Sequence, residues 1–205
     1  RLRDARPPAA ILSALSPAKP EKPAMTSSPA PANMMTDSQR LPVSNAGLVL
    51  LQSYMPILFE RLGLLRDRQF VSPAAAHRGL LALQFLACGY TQAEEPHLVL
   101  NKVLCGLPPA APVPVQAEFT DAEVATMDGL LRAVIGHWPQ SGASSPEGFR
   151  GNWLLREGIL SDNADHWGLT VIRRPWDVLL SKSPFSYAVI KLPWMARAVY
   201  VTWPT

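Results

Sequence analysis

The first long run of apolar residues in the sequence has helical spacing. It starts after Asn45, a common N-cap residue, and ends near Gly63. Pro56 lies inside the run and is expected to kink the helix, because proline lacks the N–H that an interior helical position donates. Intervals of three and four residues alternate between the apolar positions, as on one face of a helix: Leu48, Leu51, Met55, Leu58, Leu62 and Leu65.

Four further helices are predicted before residue 157. Ser72 followed by Pro73 marks the start of the second helix, and the third runs from about Glu95 to Gly106. A short fifth helix follows Ser145.

The fourth helix has the strongest signals. Thr120 and Glu123 have the spacing of a capping box, in which each residue bonds the backbone N–H of the other. Apolar residues then repeat at helical intervals and predict the buried face: Val124, Met127, Leu131, Val134 and Trp138.

After Gly158 the pattern changes to short segments rich in β-formers. Ile159–Leu160 and Trp167–Ile172 flank a polar turn, which predicts strand, turn and strand, and Ser186–Leu192 and Ala198–Trp203 are bounded by prolines. We therefore expect an α+β fold, predominantly helical, with about five helices and a small C-terminal antiparallel sheet. Because so small a sheet is marginal alone, one strand face should pack on the helices: Trp167, Leu169 and Val171.

Composition divides the 205 residues into a tail and a folded body. Residues 1–45 hold eight of the 21 prolines and a net charge of +3, whereas residues 46–205 hold equal numbers of acidic and basic groups. Residues 1–44 are predicted to be a Pro/Ala/Ser-rich linker or disordered tail, and residues 45–205 a globular terminal domain. A body with no excess positive charge is not expected to bind nucleic acid.

Nothing in the sequence predicts catalysis, a cofactor or a metal site. The four histidines lack partners at metal-ligand spacing, and Cys88 and Cys105 lie among apolar residues, as reduced core thiols do. The apolar run Ala46–Leu51 is far too short to span a membrane. We expect a protein that is not an enzyme, uses no cofactor and has no membrane span.

Several blocks, in their order and spacing, resemble a known family. They are Asn45–Leu51, Leu58–Leu64, Leu98–Pro108, Arg174–Leu180 and Tyr187–Met195. Together they resemble the C-terminal domain of the tape measure proteins of bacterial contractile injection systems, which are phage-tail-like particles. The resemblance spans about residues 45–203.

The resemblance implies a non-enzymatic structural and assembly role. On this basis we expect the terminal docking domain of a tape measure protein that sets inner-tube length, with tube, cap or baseplate proteins as partners and self-association left open. The expected location is the bacterial cytoplasm during assembly and then the particle, whether retained or released outside the cell. The alternative is a free-standing adaptor or chaperone that binds a partner chain, such as a cap or baseplate adaptor.

A basic and aromatic segment near the C-terminus is the candidate partner-binding surface. Arginine, tryptophan and tyrosine are the residue types that most often anchor interfaces. The competing interpretation is that the tryptophans of this segment fill the gap between helices and sheet. The candidate residues are Arg173, Arg174, Trp176, Tyr187, Lys191 and Trp194.

Overall fold

The structure is a computed structural model that describes residues 39–114 and 116–205. Helices dominate as far as residue 154, and most of the strands follow. The α-helices are α1 (Met55–Arg61), α2 (Pro73–Cys88), α3 (Val99–Leu104), α4 (Asp121–His137) and α5 (Pro146–Phe149). Ala46–Leu51, Glu95–Leu98, Pro139–Ser141 and Pro175–Lys182 are 3₁₀-helices, and Arg150–Leu154 is a π-helical turn. The strands are β1 (Arg40–Val43), β2 (Leu65–Arg66), β3 (Gln69–Phe70), β4 (Gly158–Asp162), β5 (Trp167–Val171), β6 (Val189–Ile190) and β7 (Val199–Thr202).

The α+β class is confirmed, but the predicted number of helices is wrong. In the described part of the chain, continuous helical segments longer than three residues number seven, against five predicted. The predicted first helix is two segments, the 3₁₀-helix Ala46–Leu51 and α1, and Pro175–Lys182 is the other addition. Pro56 is the second residue of α1 rather than a kink, because a residue in the first helical turn needs no N–H donor.

Asn45 holds the N-cap position of the first helical segment, as predicted, but its side chain has another role. Its side chain makes no capping hydrogen bond, and its Nδ2 instead donates to Oδ1 of Asn101 at 2.7 Å. Nδ2 of Asn101 in turn donates to the carbonyl oxygen of Leu80 at 3.0 Å. Both asparagines are buried, and a buried amide needs hydrogen-bond partners. The pair therefore ties the start of the first helical segment to α3 and α2.

The five-stranded sheet is mixed rather than purely antiparallel. Its strand order is β1-β4-β5-β7-β6. β5 and β7 are parallel, with Leu169 opposite Val201, and the other neighbours are antiparallel. A parallel neighbour requires a crossover, because a hairpin returns the chain in the opposite direction. Residues 172–198, which include the 3₁₀-helix Pro175–Lys182, form this crossover.

The strand β1 lies in residues 1–44, the segment whose composition predicts a tail. It pairs antiparallel with β4 at the edge of the sheet, and Leu41 lies opposite Leu160. Pro42 offers no N–H, which suits an edge position. The remainder of the tail prediction, residues 1–38, lies outside the described residues and stays a prediction.

The core lies between the sheet and the helices, as predicted for one face of β5. Trp167, Leu169 and Val171 are all buried.

Gly47, in the first helical segment, approaches the π-helical turn closely. A Cβ atom built on Gly47 would lie 1.6 Å from the carbonyl oxygen of Trp153, so no larger residue fits without moving the backbone.

The signals of the fourth predicted helix are confirmed. Thr120 and Glu123 form the capping box at the start of α4. Met127, Leu131 and Val134 have no exposed surface. Local capping and apolar spacing therefore suffice to define this helix.

Replacing Leu131 by Ala should lower the free energy of unfolding by about 2–5 kcal/mol, because it leaves a cavity at a fully buried position. Chemical denaturation measures the loss. Arg132→Ala, at the exposed neighbouring position, is the control and should change it by less than about 0.5 kcal/mol. An unchanged denaturation midpoint for Leu131→Ala would contradict the place of α4 in the core.

Candidate docking surface

A buried ion pair lies beneath the start of the candidate segment. Arg156 follows the π-helical turn, and Asp177 lies in the first turn of the 3₁₀-helix Pro175–Lys182. The two side chains are 0% and 1% exposed. Nη1 of Arg156 donates to Oδ1 of Asp177, and Nη2 donates to Oδ2, each at 2.7 Å. This bidentate geometry is the strongest form of an arginine–carboxylate contact.

One further acceptor and two further donors make hydrogen bonds with the pair. Nη2 of Arg156 donates to the carbonyl oxygen of Ile172 at 2.9 Å. Oδ2 of Asp177 also accepts the backbone N–H of Arg174 at 2.8 Å and the indole N–H of Trp203 at 3.1 Å. The Arg156 guanidinium lies 5.0 Å from the centre of the Trp203 ring. The pair therefore fixes the crossover and the end of the chain against one another.

The environment of Asp177 favours its charged form. Burial by itself would raise the pKa of this carboxyl, but hydrogen bonds from Arg156, from the backbone of Arg174 and from Trp203 hold the pKa below its ordinary value. At neutral pH, Asp177 is thus a negatively charged carboxylate that binds the guanidinium of Arg156.

Three of the six candidate residues come together above this pair. Arg173 is exposed, and Arg174 is half-buried with its guanidinium 5.6 Å from the ring centre of Trp176. The indole N–H of Trp176 donates to the carbonyl oxygen of Asn152 at 3.3 Å, while 38% of the residue stays exposed. Because the backbone of Arg174 is tied to Asp177, this exposed surface rests on a rigid base.

Tyr187 is half-buried and packs against Trp203, which bonds Asp177. Its ring meets that of Trp203 edge-to-face, with centres 5.6 Å apart. Burial raises the pKa of the Tyr187 hydroxyl, and the negative charge of Asp177 adds to the rise. The phenol therefore stays neutral and serves to pack the crossover.

The last two candidates lie in other surroundings. Nζ of Lys191 donates to the carbonyl oxygens of Met195 and Ala196, each at 2.7 Å. Trp194 is half-buried, and its indole N–H donates to the carbonyl oxygen of Leu104 at 2.9 Å. The structure thus uses both side chains to hold the crossover in place.

Trp194 belongs to an aromatic cluster beneath the loop between α1 and α2. Its ring centre lies 5.5 Å from that of Phe59 and 5.2 Å from that of Phe70. For Trp194, these contacts favour the interpretation in which a tryptophan fills a gap in the core. Trp176, by contrast, leaves 38% of its surface exposed to solvent.

Sequence reasoning missed Arg156, Asp177 and Trp203. One local signal points to Asp177, since an acidic residue three positions after the N-cap can accept the N-cap N–H, as it does from Arg174. Arg156 has no such signal, because its partner is 21 residues away.

The chemistry of the two cysteines is that of packed thiols. Both are free, and burial raises the pKa of Cys105. Desolvation likewise raises the pKa of Cys88, more than its contacts with Tyr90 and Gln84 lower it. A thiol with a raised pKa is a poor nucleophile.

Within residues 39–114 and 116–205, no three histidine, cysteine, aspartate or glutamate side chains lie in a group that could hold a metal ion. None of the helices that the structure describes has the length and apolar character to cross a membrane.

Replacing Asp177 by Asn should lower the free energy of unfolding by about 3–5 kcal/mol at neutral pH, because it leaves the buried guanidinium of Arg156 without a countercharge. Since the pKa of Asp177 is lower in the folded chain than in the unfolded one, the carboxylate contributes fully above about pH 4 and loses its contribution as the pH falls through the folded value. The gap between wild type and Asp177→Asn should therefore shrink in acid.

Denaturation at a series of pH values measures both effects. Asp165→Asn, in an exposed turn, is the matched control and should show no comparable loss at neutral pH. A gap for Asp177→Asn that stays constant down to the acid limit would contradict the ion pair as its cause.

The comparisons with known proteins point to one family. A family model described as contractile injection system tape measure protein matches residues 7–203, nearly the whole chain. No match was found among curated proteins or among solved structures. This family is structural rather than catalytic, and it implies a place in an injection particle in association with its tube. The resemblance drawn from the sequence blocks is confirmed, and the chain belongs to the contractile injection system tape measure protein family.

Proposed function

We propose that this chain is a terminal docking domain, which fixes one end of a tape measure to the particle and so takes part in setting inner-tube length. The observation that carries the proposal is the exposed surface of Arg173, Arg174 and Trp176 above the buried pair of Arg156 and Asp177. Family membership supplies the structural role in the particle.

The chemistry of this surface suits binding to another protein. A guanidinium can pair with carboxylates, and an indole with one exposed face can fill a partner's pocket. The backbone beneath them is held by the hydrogen bond from Arg174 to Asp177, so little conformational freedom is lost on docking. We assign the direct contacts to Arg173, Arg174 and Trp176.

The other candidate residues have supporting roles in the proposal. Tyr187, Lys191 and Trp194 hold the crossover through the contacts described above, and none of the three is fully buried. The partners we propose are tube, cap or baseplate proteins, met in the bacterial cytoplasm during assembly. Residues 1–44 would serve as a linker, and β1, which lies within them, joins the sheet by pairing with β4.

Charge reversal of Arg173 and Arg174 to Glu should leave the domain folded but prevent its incorporation into particles. The reason is that Arg173 is exposed and Arg174 is half-buried, and that the contact of Arg174 with Asp177 is made by its backbone N–H, which both substitutions keep. Co-sedimentation of the chain with sheath and tube measures incorporation, and electron microscopy measures tube length. Reversal of Arg40 and Arg132, two other exposed arginines, is the control.

Normal incorporation and normal tube length in the Arg173→Glu/Arg174→Glu variant would overturn the assigned docking surface. Binding of the wild-type chain to one soluble partner, without sedimentation with tube and sheath, would instead favour a free-standing adaptor or chaperone.

Two tryptophan variants should separate contact from packing. Trp176→Ala should lower incorporation while it changes the free energy of unfolding less than Trp194→Ala does, because 38% of Trp176 stays exposed. Trp194→Ala should cost about 2–4 kcal/mol, because its ring packs on Phe59 and Phe70. Denaturation and co-sedimentation of the two proteins provide the comparison. Equal stability losses would contradict the division of roles.

A further inference from the structure

The loop between α1 and α2 forms a short hairpin with an unusual tip. Strands β2 and β3 contribute two residues each, and Leu65 lies opposite Phe70. The two residues between the strands, Asp67 and Arg68, have φ angles of +50° and +63°. Adjacent left-handed residues at a two-residue hairpin tip are normally Asn-Gly or Asp-Gly.

The backbone of the tip is therefore strained at Arg68, where a glycine would adopt the same φ angle without strain. An arginine in the left-handed region places its Cβ close to its own carbonyl oxygen, a strain that glycine does not have. Strain of this kind persists only where the surroundings hold the backbone, and it is found most often at functional positions.

The surroundings do hold this hairpin. Phe70 packs against Phe59, with ring centres 5.4 Å apart, and against Trp194. Nε2 of Gln69 donates to the carbonyl oxygen of Pro193 at 3.1 Å. A hairpin of this size is marginal alone, so these contacts keep it formed.

A glycine in the middle of α2 also serves the hairpin. A Cβ atom built on Gly79 would lie 3.0 Å from Cε1 of Phe70, closer than an ordinary contact. Glycine is unfavourable inside a helix relative to alanine. The glycine at position 79 therefore makes α2 less stable than an alanine would, and it leaves the space that Phe70 occupies at the base of the hairpin.

The tip itself contributes nothing to the core. Arg66, Asp67 and Arg68 are exposed, and neither guanidinium has a hydrogen-bond or ion-pair partner within residues 39–114 and 116–205. The tip is net positive, whereas residues 46–205 sum to zero. The fold thus holds two arginines outward on a rigid support without using either.

We propose that the tip of this hairpin is a second docking contact, which binds carboxylates on a neighbouring protein of the particle. The proposal rests on the proposed function, since Phe70 and Gln69 touch Trp194 and Pro193 at the end of the candidate docking segment. Each guanidinium can pair bidentately with a carboxylate. The carboxylate of Asp67 between them disfavours the closely spaced phosphates of a nucleic acid.

The test uses the full chain assembled into particles, with co-sedimentation as the measurement. Arg66→Glu/Arg68→Glu should lower the incorporated fraction at least about tenfold, because opposed like charges at an interface weaken binding. Arg68→Gly relieves the strained backbone while removing one guanidinium. It should raise the melting temperature or leave it unchanged while it lowers incorporation, an opposition that a purely structural role would not produce.

Arg40→Glu/Arg132→Glu is again the charge-matched control and should incorporate normally. Raising the salt concentration should weaken incorporation of the wild type more than that of Arg68→Gly, because exposed charge pairs are screened. Nuclease treatment should change nothing, and loss of incorporation on that treatment would overturn the proposal in favour of nucleic acid.

Two outcomes separate this inference from the proposed function. If Arg173→Glu/Arg174→Glu abolishes incorporation and Arg66→Glu/Arg68→Glu does not, the hairpin is not a contact and the docking domain stands. If the wild-type chain never sediments with tube and sheath, both proposals fail together.

Discussion

The ion pair of Arg156 and Asp177 is the constraint on which the C-terminal half of the fold depends. It joins three stretches that are distant in sequence, namely the end of the helices, the 3₁₀-helix of the crossover and Trp203 after β7. Removing two charges from water costs free energy that their attraction only partly returns. The ion pair therefore favours this arrangement of the three stretches, because separating them inside the fold would leave a buried charge without its partner.

A second set of buried polar contacts plays the same part in the N-terminal half. Asn45 and Asn101 bond each other, and Asn101 bonds the backbone of Leu80. The sequence blocks that carry the family resemblance thus meet through these contacts: Asn45–Leu51 touches Leu98–Pro108, and Tyr187–Met195 touches it through Trp194. Each block by itself has no distinctive pattern along the chain. The contacts between blocks give a structural reason for residues such as Asn45, Asn101 and Trp194.

The sequence predicted those elements whose cause is local. The capping box of Thr120 and Glu123 and the alternating face of Trp167, Leu169 and Val171 depend on neighbours a few residues apart, and both are confirmed. The exposed cluster of arginine and tryptophan could likewise be named as a candidate from residue type alone.

The errors have non-local causes. Asn45 holds the N-cap position, but the hydrogen-bond partner of its side chain lies 56 residues away. β1 contains a proline and follows a proline-rich stretch, so only its pairing with β4 reveals a strand. The parallel pairing of β5 and β7 depends on the path of residues 172–198, which contain little regular structure and so leave no periodic signal.

The contacts that hold the crossover in place also affect how the proposed surface would bind a partner. The crossover, residues 172–198, contains little regular structure beyond its 3₁₀-helix and β6, yet contacts fix it at several points: the N–H of Arg174 donates to Asp177, Tyr187 packs against Trp203, and Nε2 of Gln52 donates to the carbonyl oxygen of Ser186 at 2.8 Å. A segment held in this way loses little entropy when it docks. Its exposed charges are screened by salt, whereas the buried pair beneath them is screened far less. Salt should therefore act on the contacts with a partner while the frame that presents them keeps its shape.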